Sequence, residues 1–232
     1  MMPPGRPSKS ATFVLVHGAW HGGWCWQRVC DRLRMQGQRV FAPTMTGVGE
    51  RSHLSFPGVD LSTQINDIVN EIQWNDLDGI VLVGHSYGGM VITGVAERIA
   101  AKIASIVYVD AFIPADGQST ADLGGKADAG PFTTPLPAEL FATSVADRAW
   151  VGSKMTPHST ACFTERLEVS GAYQTIARKT YVRATGCPVP AFAAALETAR
   201  KDPSWQAFEI ECAHDIMIDR PDELADLLMQ AI

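Results

Sequence analysis

The amino-acid sequence predicts an α/β fold, a mainly parallel, doubly wound sheet that carries a partly helical insertion. Three observations predict it. Short β-branched runs bounded by Gly, Pro or Asp alternate with segments whose apolar residues recur every three or four positions. The runs at 12–16, 79–83 and 105–109 are almost wholly apolar rather than apolar at every second residue, as expected of strands covered on both faces. The rhythm breaks once, from Ala111 to about Lys179, over a stretch several times longer than an ordinary connection.

Residues 12–16 supply the first strand. Trp26, Val29, Cys30 and Leu33 then repeat with helical spacing and stop at Gly37, a fitting C-terminal signal. A second strand covers 39–42, and Ile65, Ile68, Val69 and Ile72 mark a helix behind the candidate caps Asp60 and Ser62. The third strand is 79–83, with a helix through Met90, Val91, Val95 and Ile99, and the fourth is 105–109. The insertion that follows has no convincing buried strand, is rich in Gly, Pro, Ala and Thr over 116–137, and reads as a lid above the sheet. Strands at 180–184 and 206–210 resume the pattern, and a last helix opens at Asp219 and Pro221 before Leu224, Leu227 and Leu228. The expected layout is one domain over 1–232, with core 11–110 and 179–232 and a lid at about 111–178.

A chain of 232 residues suits one large domain. Its net charge of −6 has the wrong sign for a phosphate backbone, so nucleic acid is not an expected partner. No apolar run approaches the ~18 residues of a membrane-spanning helix, so no membrane partner is expected. Prolines at positions 3, 4 and 7 break the apolar helix of a signal peptide, which predicts a cytoplasmic protein. The five cysteines, Cys25, Cys30, Cys162, Cys187 and Cys212, form no C-x-x-C pair and read as free buried thiols.

The sharpest chemical signal is Gly84-His85-Ser86-Tyr87-Gly88-Gly89, placed directly after a strand and before a helix. That context is what a nucleophile elbow demands: the glycines let backbone pass closely on both sides of a strained turn that exposes the Ser86 hydroxyl. A serine needs a base and a group to orient it. His214, in the loop after the last strand, reaches the same carboxyl edge of the sheet and is the best candidate. His85 faces away within the elbow, His53 and His158 read as surface or pocket residues, and His17 and His21 belong to the Gly-rich loop after the first strand. That loop and the elbow supply two amides for a developing oxyanion, assigned to Ala19 and Tyr87. No third ligand accompanies His17 and His21, so no metal is expected.

The stretches FVLVHGAWHGGWCW at 13–26, TGVGERSHL at 46–54, VLVGHSYGGMVITGVAER at 81–98, VYVDAFIPADG at 107–117 and AHD at 213–215 carry a resemblance. The chain resembles the α/β-hydrolase superfamily, and within it the small lidded group of plant methylesterases, plant hydroxynitrile lyases and bacterial esterases acting on pyrethroid esters or aryl carbamates, the bacterial esterases most closely. The resemblance implies an α/β-hydrolase fold, a Ser, His and acid triad, no cofactor, and an apolar pocket between core and lid. A homodimer is compatible with it. The commonest position for the acid follows the penultimate strand, and here that segment, 185–190, holds no carboxylate. The superfamily's alternative position, at the end of the preceding strand, is occupied by Asp110. Glu197, expected inside a helix, is a distant second; Asp202 lies beyond that helix, and Asp215 is beside His214 on the chain.

These readings point to a cofactor-independent serine hydrolase that cleaves a carboxylic ester or carbamate of a small, largely apolar substrate through an acyl-enzyme. Trp20, Tyr87, Phe132, Phe141, Trp150 and Met155 are the expected pocket residues. A hydroxynitrile lyase of this group needs, by resemblance, a Thr in the early loop and a Lys after the catalytic histidine, where this chain has Gly18 and Asp215. A small-molecule binding or receptor protein on the same fold is the alternative outside enzymology. Epoxide hydrolases and dehalogenases carry Asp at the elbow, which Ser86 excludes.

Overall fold

Phe13 to Val16 are fully buried in β1 (Thr12–Val16), as an all-apolar run requires when layers cover both of its sides. The computed structural model describes residues 10–232; the proline-rich residues 1–9 lie outside the described residues. The chain continues through α1 (Gln27–Met35), β2 (Arg39–Phe41), α2 (Leu61–Trp74), β3 (Ile80–His85), α3 (Gly88–Ile99) and β4 (Ile103–Val109). An insertion carries β5 (Phe132–Thr133), α4 (Val145–Lys154), β6 (His158–Ser159) and α5 (Ala161–Thr164). The core then resumes with β7 (Arg178–Ala184), α6 (Pro190–Lys201), β8 (Trp205–Ile210), α7 (Ile216–Asp219) and α8 (Pro221–Gln230).

Six strands form one sheet in the order β2-β1-β3-β4-β7-β8, every neighbouring pair parallel. Right-handed crossovers place α1 and α8 on one face, packed on each other, and α2, α3 and α6 on the opposite face, where α2 packs on α3. All strands therefore end at one edge, and the residues after β1, β3, β4 and β8 meet there. Asp60 caps α2 as its position suggests, its Oδ1 accepting from Thr63 N at 2.8 Å. Gly37 leaves α1 at φ 80°, a left-handed stop.

The insertion differs from its expected outline. It contains a buried antiparallel ribbon, Phe132 opposite Ser159 and Thr133 opposite His158, two residues a strand and too short to show a period in sequence. It ends a residue or two early, because β7 begins at Arg178. Side chains on both sides fasten it to the core. Glu97 on α3 accepts from the backbone N–H groups of Ser170, Gly171 and Ala172, Glu165 accepts from Ser62 N, and Arg28 on α1 pairs with Asp147 on α4. Among the described residues no helix is long and apolar enough to cross a membrane.

Candidate active site

The elbow forms because β3 runs straight into α3 with only Ser86 and Tyr87 between them. Ser86 sits at φ 55°, a conformation costly for a non-glycine residue and one that lifts its side chain clear of the turn. Its backbone is overdetermined: Ser86 N donates to Val109 O at 3.2 Å, while Ser86 O accepts from Gly89 N at 3.0 Å and Phe112 N at 3.2 Å. A side chain on Gly89 would sit 2.1 Å from Phe112 O, so glycine is what lets the elbow dock on the chain leaving β4.

Asp110 occupies the end of β4, fully buried and at φ 43°. Its Oδ2 accepts from His214 Nδ1 at 2.6 Å, and its Oδ1 accepts from Ala184 N at 3.1 Å and from the Arg183 guanidinium. Burial would raise the Asp110 pKa, but the His214 hydrogen bond and charge, with Arg183 and Ala184 N, hold it below the usual carboxylate range. Burial likewise works to lower the His214 pKa, and the Asp110 contact outweighs it, leaving the imidazole above its ordinary range. The His214 ring lies flat on Phe192, centroids 5.2 Å apart, and its backbone N donates to Leu140 O of the insertion at 3.1 Å. Ser86 and His214 both line one cavity, with no hydrogen bond between their side chains; such contacts commonly tighten only once substrate fills the site.

The Gly-rich loop after β1 faces Ser86. A Cβ on Gly18 would lie 2.9 Å from Ser86 Cβ and 2.9 Å from His85 Nδ1, so the loop and the elbow are in direct contact. Among the described residues no protein acceptor takes the N–H of Ala19 or of Tyr87, and both residues line the cavity beside Ser86. The peptide that carries Ala19 N–H is aimed by His17, whose Nδ1 donates to Gly18 O at 2.8 Å while its Nε2 accepts from Met45 N at 3.1 Å. Burial lowers the His17 pKa to about 4, so this ring stays neutral and keeps that tautomer. Trp20 follows at φ 65°, strained for so bulky a residue. The insertion secures it: Trp20 Nε1 donates to Thr133 O at 3.1 Å, Trp20 N to His158 Nδ1 at 3.4 Å, and its ring stacks on Phe163 at 5.8 Å.

The cavity at Ser86 has a volume of about 100 Å³ and an aromatic lining of Trp20, Tyr87, Phe112, Phe141, Phe163 and Phe192. Three expected pocket residues are not among its walls. Phe132 is the neighbour of inward-pointing Thr133, and alternation along the ribbon turns it the other way. Trp150 packs edge-on against Trp24 at 5.0 Å beneath Arg28 and Lys154, on the far side of α4. Met155 closes α4 and packs against the core from outside the cavity. A larger groove of about 640 Å³ runs between α6 and both ends of the insertion, lined by Ile113, Leu123, Tyr173, Ala195 and Trp205, and Phe112 is a wall of both spaces.

The histidines need a second correction. His158 is neither surface nor pocket lining but a buried strut between the ribbon and Gln64 of α2, kept neutral as burial lowers its pKa to about 3. His53 is exposed. His85 turns from the cavity and lies against His214, ring centroids 4.4 Å apart, its Nε2 donating to His214 O at 3.1 Å. Glu197 sits on the outer side of α6 in an ion pair with Arg200 at 3.0 Å, remote from His214.

Arg183 was not anticipated at the site, and Cys187, expected only as a free buried thiol, lies beside the Asp110–His214 pair. A cation inside the buried run of β7 was the available signal for Arg183, since a buried charge needs a partner. Asp110, Cys187 and His214 bring ligand atoms within 4.8 Å of one another, the one such cluster among the described residues. Its donor set suits a metal poorly, because the two Asp110 oxygens already accept from His214 and from Arg183, a cation.

The alpha/beta hydrolase family model matches residues 13–227. A carbendazim hydrolyzing esterase from Nocardioides sp. (strain SG-4G) is 43% identical over 237 residues, covering 94% of this chain and 98% of that protein. Methylesterase 2 from Arabidopsis thaliana is 32% identical over 146 residues, covering 62% of this chain and 50% of that protein. Among solved structures, an extracellular alpha/beta-hydrolase from a Paenibacillus species superposes with a TM-score of 0.78 at 27% identity, covering 95% of this chain and 98% of that one. A methylesterase from Arabidopsis superposes with a TM-score of 0.80 at 21% identity, covering 95% and 98%, a likeness of fold.

Proposed function

The chain belongs to the alpha/beta hydrolase family, and from that premise we propose that it is a cofactor-independent serine hydrolase acting on a carboxylic ester or carbamate. Esterase relatives support hydrolysis of an ester in general. The observation that carries the finer reading is the buried Asp110 Oδ2 to His214 Nδ1 hydrogen bond of 2.6 Å, placed beside an elbow serine and two free amides.

In this reading Ser86 Oγ attacks the substrate carbonyl and passes its proton to His214 Nε2. Asp110 accepts from Nδ1–H, which fixes the tautomer and balances the imidazolium that forms. The N–H groups of Ala19 and Tyr87 receive the oxyanion, each worth about 3–4 kcal/mol of barrier. Collapse expels the alcohol or amine, protonated by His214, and leaves an acyl-enzyme that water hydrolyses by the same steps. A cavity of about 100 Å³ lined by six aromatic residues suits a short or flat apolar group next to the reacting carbonyl.

Lyase chemistry fits poorly. A threonine in place of Gly18 would collide with Ser86, and Asp215 puts an anion where departing cyanide wants a cation. Labelling with a fluorophosphonate, followed by turnover of aryl esters, methyl esters, pyrethroids and carbamates, tests the reading. Covalent modification at Ser86 with turnover of at least one class is expected; an unlabelled, inert protein would leave a binding scaffold instead.

A further inference from the structure

A second buried histidine–carboxylate pair lies behind the first, and the hydrolase reading leaves it unused. His21 and Asp215 are both fully buried and come together from positions 194 residues apart. His21 Nε2 is 3.0 Å from Asp215 Oδ2, and His21 Nδ1 is 2.7 Å from the carbonyl oxygen of Ala19. An oxygen acceptor at each ring nitrogen calls for a hydrogen on each, because a neutral imidazole would set one lone pair against another. The ring is therefore an imidazolium facing a carboxylate. Burial alone would favour the neutral acid, yet the charge and hydrogen bond of His21, with His85 and His214, hold the Asp215 pKa below the usual range.

The surroundings are otherwise apolar or neutral. Trp24 stacks on the His21 ring at 5.0 Å and Phe141 tilts against it at 5.0 Å. The remaining titratable groups that face the pair are His85 on the elbow, His17 on the same loop, Cys25 in the turn before α1 and Glu50 beside Gly22. Each end of the pair touches catalytic backbone. Asp215 directly follows His214, and its own N–H is held by Phe141 O at 2.8 Å. His21 grips the carbonyl of Ala19, the residue whose N–H is free at the cavity. His85 Nε2, bonded to His214 O, lies 3.7 Å from Asp215 Oδ1 and closes the frame.

We propose that the His21–Asp215 ion pair clamps the oxyanion loop to the loop carrying His214, making both residues positioning residues for the hydrolysis. The inference rests on the hydrolase reading for its consequence, and on the two oxygen acceptors at the ring nitrogens for the ring's charge. A fixed clamp holds the oxyanion amide and the base at one separation, so its loss acts on the transition state more than on substrate binding.

The test has an arm without mutation. In ¹⁵N NMR of the wild-type protein, both His21 ring nitrogens should show the protonated azole shift. In Asp215→Asn, of equal size, one of them should lose its proton. The same variant should lose about 10- to 100-fold in kcat, somewhat less than removal of an oxyanion donor itself costs. KM should stay within about threefold, while affinity for a trifluoromethyl ketone, whose serine adduct carries an oxyanion, falls in parallel with kcat. A neutral His21 in the wild type overturns the proposal, whether or not the variant folds. So does a variant whose kcat and ketone affinity both stay within about twofold, or one whose KM rises while ketone affinity holds. Failure of the hydrolase reading looks different: the wild type would neither turn over esters nor label at Ser86, with the His21 resonances unaffected.

Discussion

Asp110→Asn is the most informative single change, because the surroundings of this carboxylate dictate how an amide would sit. Three donors converge on it: Ala184 N and Arg183 on Oδ1, and His214 Nδ1 on Oδ2. Asparagine has one carbonyl oxygen to offer them. Two donors share the Oδ1 side, so the amide settles with its oxygen there and its NH₂ toward His214. An NH₂ cannot face an N–H, so the imidazole moves its proton to Nε2 and presents a hydrogen where the Ser86 proton has to go. Turnover at neutral pH should fall by about 10⁴, the scale of a wrong-tautomer triad. Arg183 keeps its bonds to the carbonyls of Ala184 and Cys187, so the stability loss belongs near the lower end for a broken buried pair, about 3 kcal/mol. For a chain of this size that is roughly 6–12 °C in Tm. The pH profile adds a sign. Only neutral His214 accepts the proton, and Asp110 raises its pKa, so wild-type kcat/KM should climb through a limb above about 6.5, and the variant's limb should lie lower. The same raised pKa contributes stability that is present below the unfolded value and lost as pH rises through the folded one. Stopped assays on an aryl ester between about pH 5 and 10, with thermal melts, measure all of this. Turnover within about tenfold of wild type at an unchanged Tm would show that another group orients His214.

Ser86→Ala should lose about 10⁴-fold or more in ester hydrolysis with its melting curve preserved, and adding His214→Ala should cost little more, because triad members act as a unit; kinetics on carefully purified single and double variants check it. Glu197→Gln, on the outer face of α6, should leave turnover unchanged and shift stability by no more than about 0.5 kcal/mol, read by the same assay and melts. Phe112→Ala removes the shared wall between the cavity of about 100 Å³ and the groove of about 640 Å³. It should extend the accepted chain length across a p-nitrophenyl ester series, and an unchanged length cut-off with activity on the shortest ester retained would refute that partition.

The sheet was legible because both-face burial writes itself as nearly unbroken apolar runs in β1, β3 and β4, and the elbow because its glycines are demanded by backbone contact. Ser86 and His214 could be read from the elbow and from strand ends, since every parallel strand delivers its C-terminus to one edge, while Asp110 was read only with the help of the superfamily resemblance. The insertion was not legible in the same way. A two-residue strand has no period, and nothing in the sequence shows that α4 packs away from the cavity, so Trp150 and Met155 were read as pocket residues although neither lines it. Arg183 and the His21–Asp215 pair stayed hidden for a different reason: a buried charge announces that it needs a partner without naming one 73 or 194 residues away. His158 misled because an imidazole serves equally as a ligand, a base or a strut.

The strained Trp20 bears on how this scaffold can be re-engineered. Its left-handed backbone is retained by the Thr133 carbonyl, the His158 imidazole, the Phe163 ring and Thr156 N, which donates to Trp20 O at 3.0 Å, and all four come from the insertion. The neighbouring Ala19 amide is thus held in register by a part of the molecule that would ordinarily be treated as an exchangeable specificity cassette. Transplanting the insertion from a relative would change the cavity walls and remove the braces of the Ala19 loop in the same operation. A chimera would have to carry over the acceptors at 133 and 158 and the donor at 156 before its substrate range could be judged at all.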